Sequence, residues 1–457
     1  MLIKLILQNK LVFILIHLAF GYLGTFSFFP KIFGFVIILT PIYFIFNSKN
    51  ENEEALLFAA YIVGAEVYIR MTSGFIFYET GKYIVILYLL LGMFIGKFKQ
   101  IFSIQYVFYI LLLLLGIVFT KVPEGESIRK NIIFNLSGPI VLGISAIYCY
   151  QRKVSAQRLM DVLYFILLPL FSMIIYLYFR TPDLSEIVFG GEANFKTSGG
   201  FGPNQVATAI GLGMFILTVY ILSNKQLTGL IYIDAIFLIY FSYRGLLTFS
   251  RGGILTSIIS IAFFVIFFLM YKKISFVKFF RYLMLAMVFI LSIWIYTLDI
   301  TNGMLNNRYT GKNAIGVQKD ITTGRVDILK IQMSNFLENP LGIGVGNGKY
   351  ERMKKGEAIT AASHNEVGRL LEEHGYIGFI LLIALITIPL FNFLKGNSYQ
   401  KAFIIAFYLI WFLTINHSAM RIALPGFVYA LSLLNITNID ELENTEDENL
   451  MIADNEY

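Results

Sequence analysis

The sequence predicts an all-α polytopic membrane protein with about fourteen transmembrane helices, or twelve to fourteen if the short stretches at the two ends do not all cross. Two observations carry this. Hydrophobic residues make up 57% of the 457 residues and charged residues only 14%, where soluble domains carry about 25%. Apolar stretches of about 20 residues, the length that crosses a bilayer, recur along most of the chain. A β-barrel would show short alternating segments instead.

In chain order the expected spans are 9–28, 31–47, 54–72, 81–97, 101–120, 131–150, 157–179, 204–223, 228–248, 252–271, 280–298, 376–394, 400–415 and 418–435. The opening "MLIKLILQNKLVFILIHLAFGYLG" lacks a small-residue cleavage site and reads as a first anchor. One cysteine, Cys149, excludes an internal disulfide and a cysteine-based metal site.

Charge orients the spans. The basic loops 97–100, 151–158, 224–226, 271–281 and 395–401 fall on one side in a fourteen-span count, and positive loops favour the cytoplasm. Both termini then share that side, and "KVPEGESIRK" (121–130) is a mild exception on the other. Residues 1–435 form a single transmembrane domain. Residues 299–375 form a large external loop within it, and 436–457 form an acidic cytoplasmic tail expected to be disordered. The net charge of +7 encodes orientation and suggests anionic ligands or lipids. No basic soluble domain is present to bind nucleic acid.

Inside the external loop, "TGRVDILKIQMSNFLENP" (323–340) has helical apolar spacing and a stop at Asn339-Pro340. The glycine-rich "LGIGVGNGKY" follows and reads as a flexible turn that lets the backbone come close to something. "SHNEVGRLLEEHG" is expected to form a second helix, capped by Ser363, with Gly375 as its C-cap or as a bend into the next span.

That second helix gathers His364, Asn365, Glu366, Arg369, Glu373 and His374 at the start of an apolar run. A histidine there can serve as a general base for an incoming hydroxyl. The bland reading is surface ion pairing among Glu366, Arg369 and Glu373, with His364 as a capping residue. Arg251 lies between two apolar runs in "LLTFSRGGILTS", and Arg325 opens the amphipathic loop helix. Guanidinium forks match phosphate oxygens, and charges within spans point to function. Arg244 is expected to snorkel. Glu66 and Arg70, one turn apart, are expected to neutralise each other, and His17 to make a structural contact. Asp161 and Asp234 are expected at solvent-reached ends, and His417 and Arg421 in an outward hairpin at the same site. No P-loop, HExxH or Asp-x-Asp sequence occurs.

Taken together, "FGPNQVATAIGLGMF" (201–215), "LLTFSRGGILTS", the 323–351 stretch and "SHNEVGRLLEEHGYIGFI" (363–380) resemble, in residues and order, the O-antigen ligase and Wzy-type polymerase superfamily. The resemblance covers about the C-terminal 60% of the chain. It implies a GT-C-like glycosyltransferase using an undecaprenyl-pyrophosphate-linked glycan on the outer face of the plasma (inner) membrane. It implies no metal and no other cofactor. Arg251 and Arg325 would hold the pyrophosphate, and His364 would activate the acceptor hydroxyl. Asn204, Asn365, Arg369 and Glu373 would help to bind pyrophosphate or glycan, the last two around the reacting groups rather than among them. The implied partners are the lipid-linked donor, a glycan acceptor and membrane lipids, with a chain-length regulator and a flippase beside them. A count of fourteen spans favours a polymerase. The alternatives are a ligase acting on lipid A-core or protein, and a transporter, which predicts two related halves that the sequence does not show.

Overall fold

In a bilayer every backbone polar group must be satisfied inside the protein, so apolar runs become helices. The computed structural model describes residues 2–96, 103–183, 187, 193–312, 316–318, 322, 324–355 and 363–437. The basic loop 97–100 and most of the acidic tail (438–457) lie outside the described residues.

Helices α1 (Leu2–Gln8) and α2 (Lys10–Leu23) meet at a bend of 98°. α3 (Phe29–Ser48), α4 (Glu54–Met71), α5 (Thr80–Ile95), α6 (Ile104–Leu115) and α7 (Ile128–Cys149) follow. Next come the short strand β1 (Lys153–Ser155) and helices α8 (Ala156–Arg180), α9 (Pro203–Leu222), α10 (Ile231–Leu247), α11 (Arg251–Tyr271) and α12 (Phe276–Ile300). The loop region adds α13 (Met304–Thr310), α14 (Arg325–Glu338) and α15 (Gly348–Lys354). The chain closes with α16 (Glu366–Lys395), α17 (Ser398–His417), α18 (Leu424–Leu431) and β2 (Asn435–Thr437).

Each of the fourteen expected stretches contains a helix, but the count of fourteen is not reached by length and composition. Among the described residues, eight helices are long and apolar enough to cross a membrane, or nine if the bent α1–α2 pair is one span. α4 carries Glu54, Glu66 and Arg70, while α5, α6, α10 and α18 are short. The last stretch differs most from expectation, with only eight helical residues in α18. Residues 418–434 are nonetheless buried throughout, and irregular backbone is tolerated at depth where protein surrounds it. β2 pairs in parallel with β1, which ties the chain end to the 151–158 side. Ile436, placed by the sequence in a disordered tail, is thus a buried strand residue.

α8 and α9 form the buried centre, α8 against α4 and α2, and α9 against α10 and α11. α11 packs on α17, and α18 on α7. α12 is largely exposed and apolar, as a lipid-facing helix would be. Two further expectations change. Arg244 does not snorkel: it is buried and donates to the carbonyls of Leu177 (3.0 Å) and Thr197 (3.3 Å) and to Thr181 Oγ1 (2.6 Å). Asp161 and Asp234 are buried, and Asp234 accepts the amides of Leu227 and Thr228. Glu66 and Arg70 do pair, at 2.6 Å, and His17 Nε2 meets the Tyr61 hydroxyl at 2.9 Å.

Candidate functional site

The site forms where helix ends converge. α9 starts at Pro203 after Gly202, so Asn204 falls in its first turn. Asn204 Oδ1 accepts from the Ser250 hydroxyl at 2.7 Å. Ser250 closes a tight turn with Phe249 in the left-handed region (φ 56°), and Arg251 begins α11 directly after it. The two glycines that follow are needed for close approach. A Cβ at Gly252 would lie 2.5 Å from the His417 ring, and one at Gly253 would lie 2.6 Å from Ala207 Cβ. The Ser-Arg-Gly-Gly pattern therefore docks α11 against α9 and α17, with its arginine at the rim.

Arg325 opens α14, and its Nη1 donates to the His417 carbonyl at 3.3 Å. Arg308, on α13, is buried and donates from Nε to the Phe249 carbonyl at 2.9 Å. Asn365 caps α16: its Oδ1 accepts the Gly368 amide at 2.8 Å, and its Nδ2 donates to Asn416 Oδ1 at 3.2 Å. The cap expected at Ser363 is thus displaced by two residues, because the Ser363 hydroxyl is taken by the Asn365 backbone. The helix begins at Glu366 and leaves His364 in the loop ahead of it.

These residues enclose a first chamber of about 290 Å³, lined by Asn204, Arg251, Arg308, Arg325, His364 and Asn365 among others. Its described lining holds no Asp or Glu. Burial and the nearby Arg251 hold Arg325 below its ordinary pKa. Burial, then Arg325 and Arg421, lower His364 to about 4. A neutral imidazole beside guanidiniums can accept a proton, and the guanidiniums can hold an anion.

Arg369 and Glu373, expected at the same place, lie elsewhere. They line a second chamber of about 410 Å³, together with Lys130, Asn131, Arg352 and Arg421. Both are engaged by protein. Arg369 pairs with Glu366 and donates to the Asn135 carbonyl (2.9 Å) and Oδ1 (2.7 Å). Glu373 Oε1 accepts the Gly346 amide at 2.9 Å. Ser363 lines both chambers, and its carbonyl accepts from Arg421 Nη2 at 3.0 Å. The outward hairpin is divided as well. Asn416 lines the first chamber and Arg421 the second, while His417 sits beneath Gly252.

The glycine-rich turn closes on protein. Gly342, Gly344 and Gly346 all take positive φ, and their Cβ positions would collide with Glu373, Phe119 and Asn131. Ile343 and Gly344 donate to the Glu372 and Glu373 carbonyls at 3.0 and 3.1 Å. The turn is a clamp on α16. Gly375 is the expected bend, at φ 57° inside α16.

Arg308 is the residue that sequence reasoning missed. It stands in a polar loop among many charges, and nothing local distinguishes it. Among the described residues no three His, Cys, Asp or Glu side chains gather as a metal site would require.

The helical membrane protein thus sets arginines and a neutral histidine around one chamber, an arrangement that can hold an anion and take up a proton. Residues 236–383, about a third of the chain, match the family model described as O-antigen ligase, Wzy_C, so that this stretch is similar to that family. The matched segment contains Arg251, Arg308, Arg325 and His364. That likeness supports an enzymatic role in coarse terms. No curated protein and no solved structure matches the chain.

Proposed function

We propose that this protein polymerises undecaprenyl-pyrophosphate-linked oligosaccharide repeat units on the outer face of the plasma membrane. The observation that carries the reading is the meeting of Arg251, Arg308, Arg325 and His364 in one chamber. Arg251 and Arg325 hold the pyrophosphate, and Arg308 adds a third guanidinium. The acceptor hydroxyl gives its proton to His364 as its oxygen bonds to the donor sugar C1. The bond from C1 to the pyrophosphate oxygen breaks, and its electron pair leaves with undecaprenyl pyrophosphate. Displacement from the opposite face inverts the anomeric centre. Charge grows on the leaving pyrophosphate in the transition state, where fixed guanidiniums stabilise it more than in the ground state.

His364 strengthens as a base when the donor is in place. Its pKa of about 4 reflects burial first, then Arg325 and Arg421. A bound pyrophosphate offsets the arginine field and raises the imidazole's basicity. The deciding experiment supplies purified full-length protein in detergent with lipid-linked repeat units, with and without lipid A-core. A ladder without lipid A-core is the expected product. Product only in the presence of lipid A-core would replace the polymerase reading with a ligase, and no transfer in either mixture would overturn the reading.

A further inference from the structure

We propose that the second chamber, between the start of α7, α15 and the first turns of α16, is the binding site of the acceptor glycan. This rests on the transfer reading above and assigns the side from which the hydroxyl arrives.

The cavity of about 410 Å³ falls in the range of ligand pockets, roughly 300–1,000 Å³. Its chemistry differs from that of the first chamber. Carboxylates and cations both line it, with Glu126, Lys130 and Arg352 joined by the amide of Asn131 and the rings of Phe134 and Tyr350. Acids stand among the cations here, so the lining offers acceptors as well as donors, and sugar hydroxyls both donate and accept hydrogen bonds. Aromatic bodies with polar neighbours complete a surface that suits a polyhydroxylated ring with apolar faces.

The floor is held by hydrogen bonds and an ion pair within the protein. Glu372 Oε2 accepts from Gln332 Nε2 at 3.0 Å and its Oε1 from Asn335 Nδ2 at 2.7 Å. Arg369 is held by Asn135 and Glu366. Arg421 stacks its guanidinium 4.1 Å from the Phe134 ring centre. The rim, with Glu126, Ser127 and Lys130, is exposed; Glu126 meets the Tyr350 hydroxyl there, and the Lys130 side chain stands at the opening.

Position supplies the last argument. Inversion requires the hydroxyl to approach C1 from the side away from the pyrophosphate. With pyrophosphate among Arg251 and Arg325, the acceptor must reach His364 from elsewhere. The second chamber abuts His364 through Ser363, which lines both cavities.

The test is calorimetric titration of the purified full-length protein in detergent. One titrant is the carrier-free repeat-unit oligosaccharide prepared from the producing cell's own surface polysaccharide. The other is inorganic pyrophosphate. The expected result is that both bind and neither displaces the other. The double variant Lys130→Ala/Asn131→Ala weakens the oligosaccharide by roughly tenfold, the loss expected for two rim hydrogen bonds, and leaves pyrophosphate binding intact, which also shows that the variant is folded. Arg251→Ala does the reverse. Displacement of the oligosaccharide by pyrophosphate, or its weakening by Arg251→Ala instead of by the rim variant, would overturn the assignment. Binding of pyrophosphate alone would overturn it as well. Failure of pyrophosphate to bind the wild-type protein would count against the transfer reading itself.

Discussion

Two groups of arginines differ in what the fold sets around them. Arg251, Arg308 and Arg325 surround an open chamber whose described lining carries no carboxylate. Arg70 and Arg369 are instead locked to acids: Arg70 to Glu66 and, at 3.6 Å, Glu79; Arg369 to Glu366 and, at 3.9 Å, Glu373. The second group holds helices together. Arg70 also donates to the Arg421 carbonyl at 3.0 Å, and Glu66 accepts the Ala423 amide at 2.6 Å, so the network pins the hairpin that carries the site. A buried cation with its own anion is part of the frame. Around the first chamber, burial and then Arg251 lower the pKa of Arg325, and an anionic ligand relieves that repulsion.

The contrast is most directly broken by mutation. His364→Ala is expected to reduce transfer about 10²–10⁴-fold, and Arg251→Ala or Arg325→Ala about 10²–10³-fold. All three should reach the membrane and melt near the wild-type temperature, as single-turnover transfer and a thermal melt would show. Normal product from any of them would remove that residue from the mechanism. Arg369→Ala should behave in the opposite manner. It leaves Glu366 buried without its partner and costs about 3–5 kcal/mol of stability, seen as loss of folded protein rather than as folded but inactive enzyme.

Ligand binding sharpens the comparison further. Inorganic pyrophosphate at about 100 times its Kd should stabilise the wild type by about 2.7 kcal/mol. That gain should vanish in Arg251→Ala, measured as the shift in melting temperature. The pH profile is gentler. His364 is lowered to about 4, so its base form persists as pH falls from 8 to about 5 and is lost only as pH drops through the pKa. With donor bound the limb should move upward, toward the ordinary histidine value near 6.5. A kcat limb below that of kcat/KM for donor would contradict the donor-assisted base. The smallest effect is expected at Lys330, whose exposed pair with Asp327 spans 3.6 Å. Lys330→Ala should change stability by no more than about 1 kcal/mol and leave transfer unchanged.

Much of the candidate site was legible because its residues broke a strong pattern. Arg251 interrupts apolar sequence, Arg325 opens a loop helix, and His364 stands before a span, and all three reach one chamber with Asn204 and Asn365. Arg369 and Glu373 lie in the second chamber and not beside His364, for a geometric reason. α16 starts at Glu366 and rises about 1.5 Å per residue, so its later residues are carried away from His364 into the second chamber. Arg308 was not legible, since a charge in a polar loop is ordinary until α13 folds it under the Phe249 carbonyl.

By itself, the sequence determined that the chain is helical and membrane-bound, because long apolar runs are driven out of water and a bilayer rejects unsatisfied backbone. It also determined which charges stand where apolar residues are the norm. The partner of each charge was decided only by the tertiary structure. Glu366 and Arg369 are neighbours on one helix, but the Asn135 that binds Arg369, the Gly346 amide that binds Glu373 and the Ser363 carbonyl that binds Arg421 come from elsewhere in the chain. Coulomb and hydrogen-bond energies fall off within a few ångströms, so a guanidinium's role depends on what folds against it.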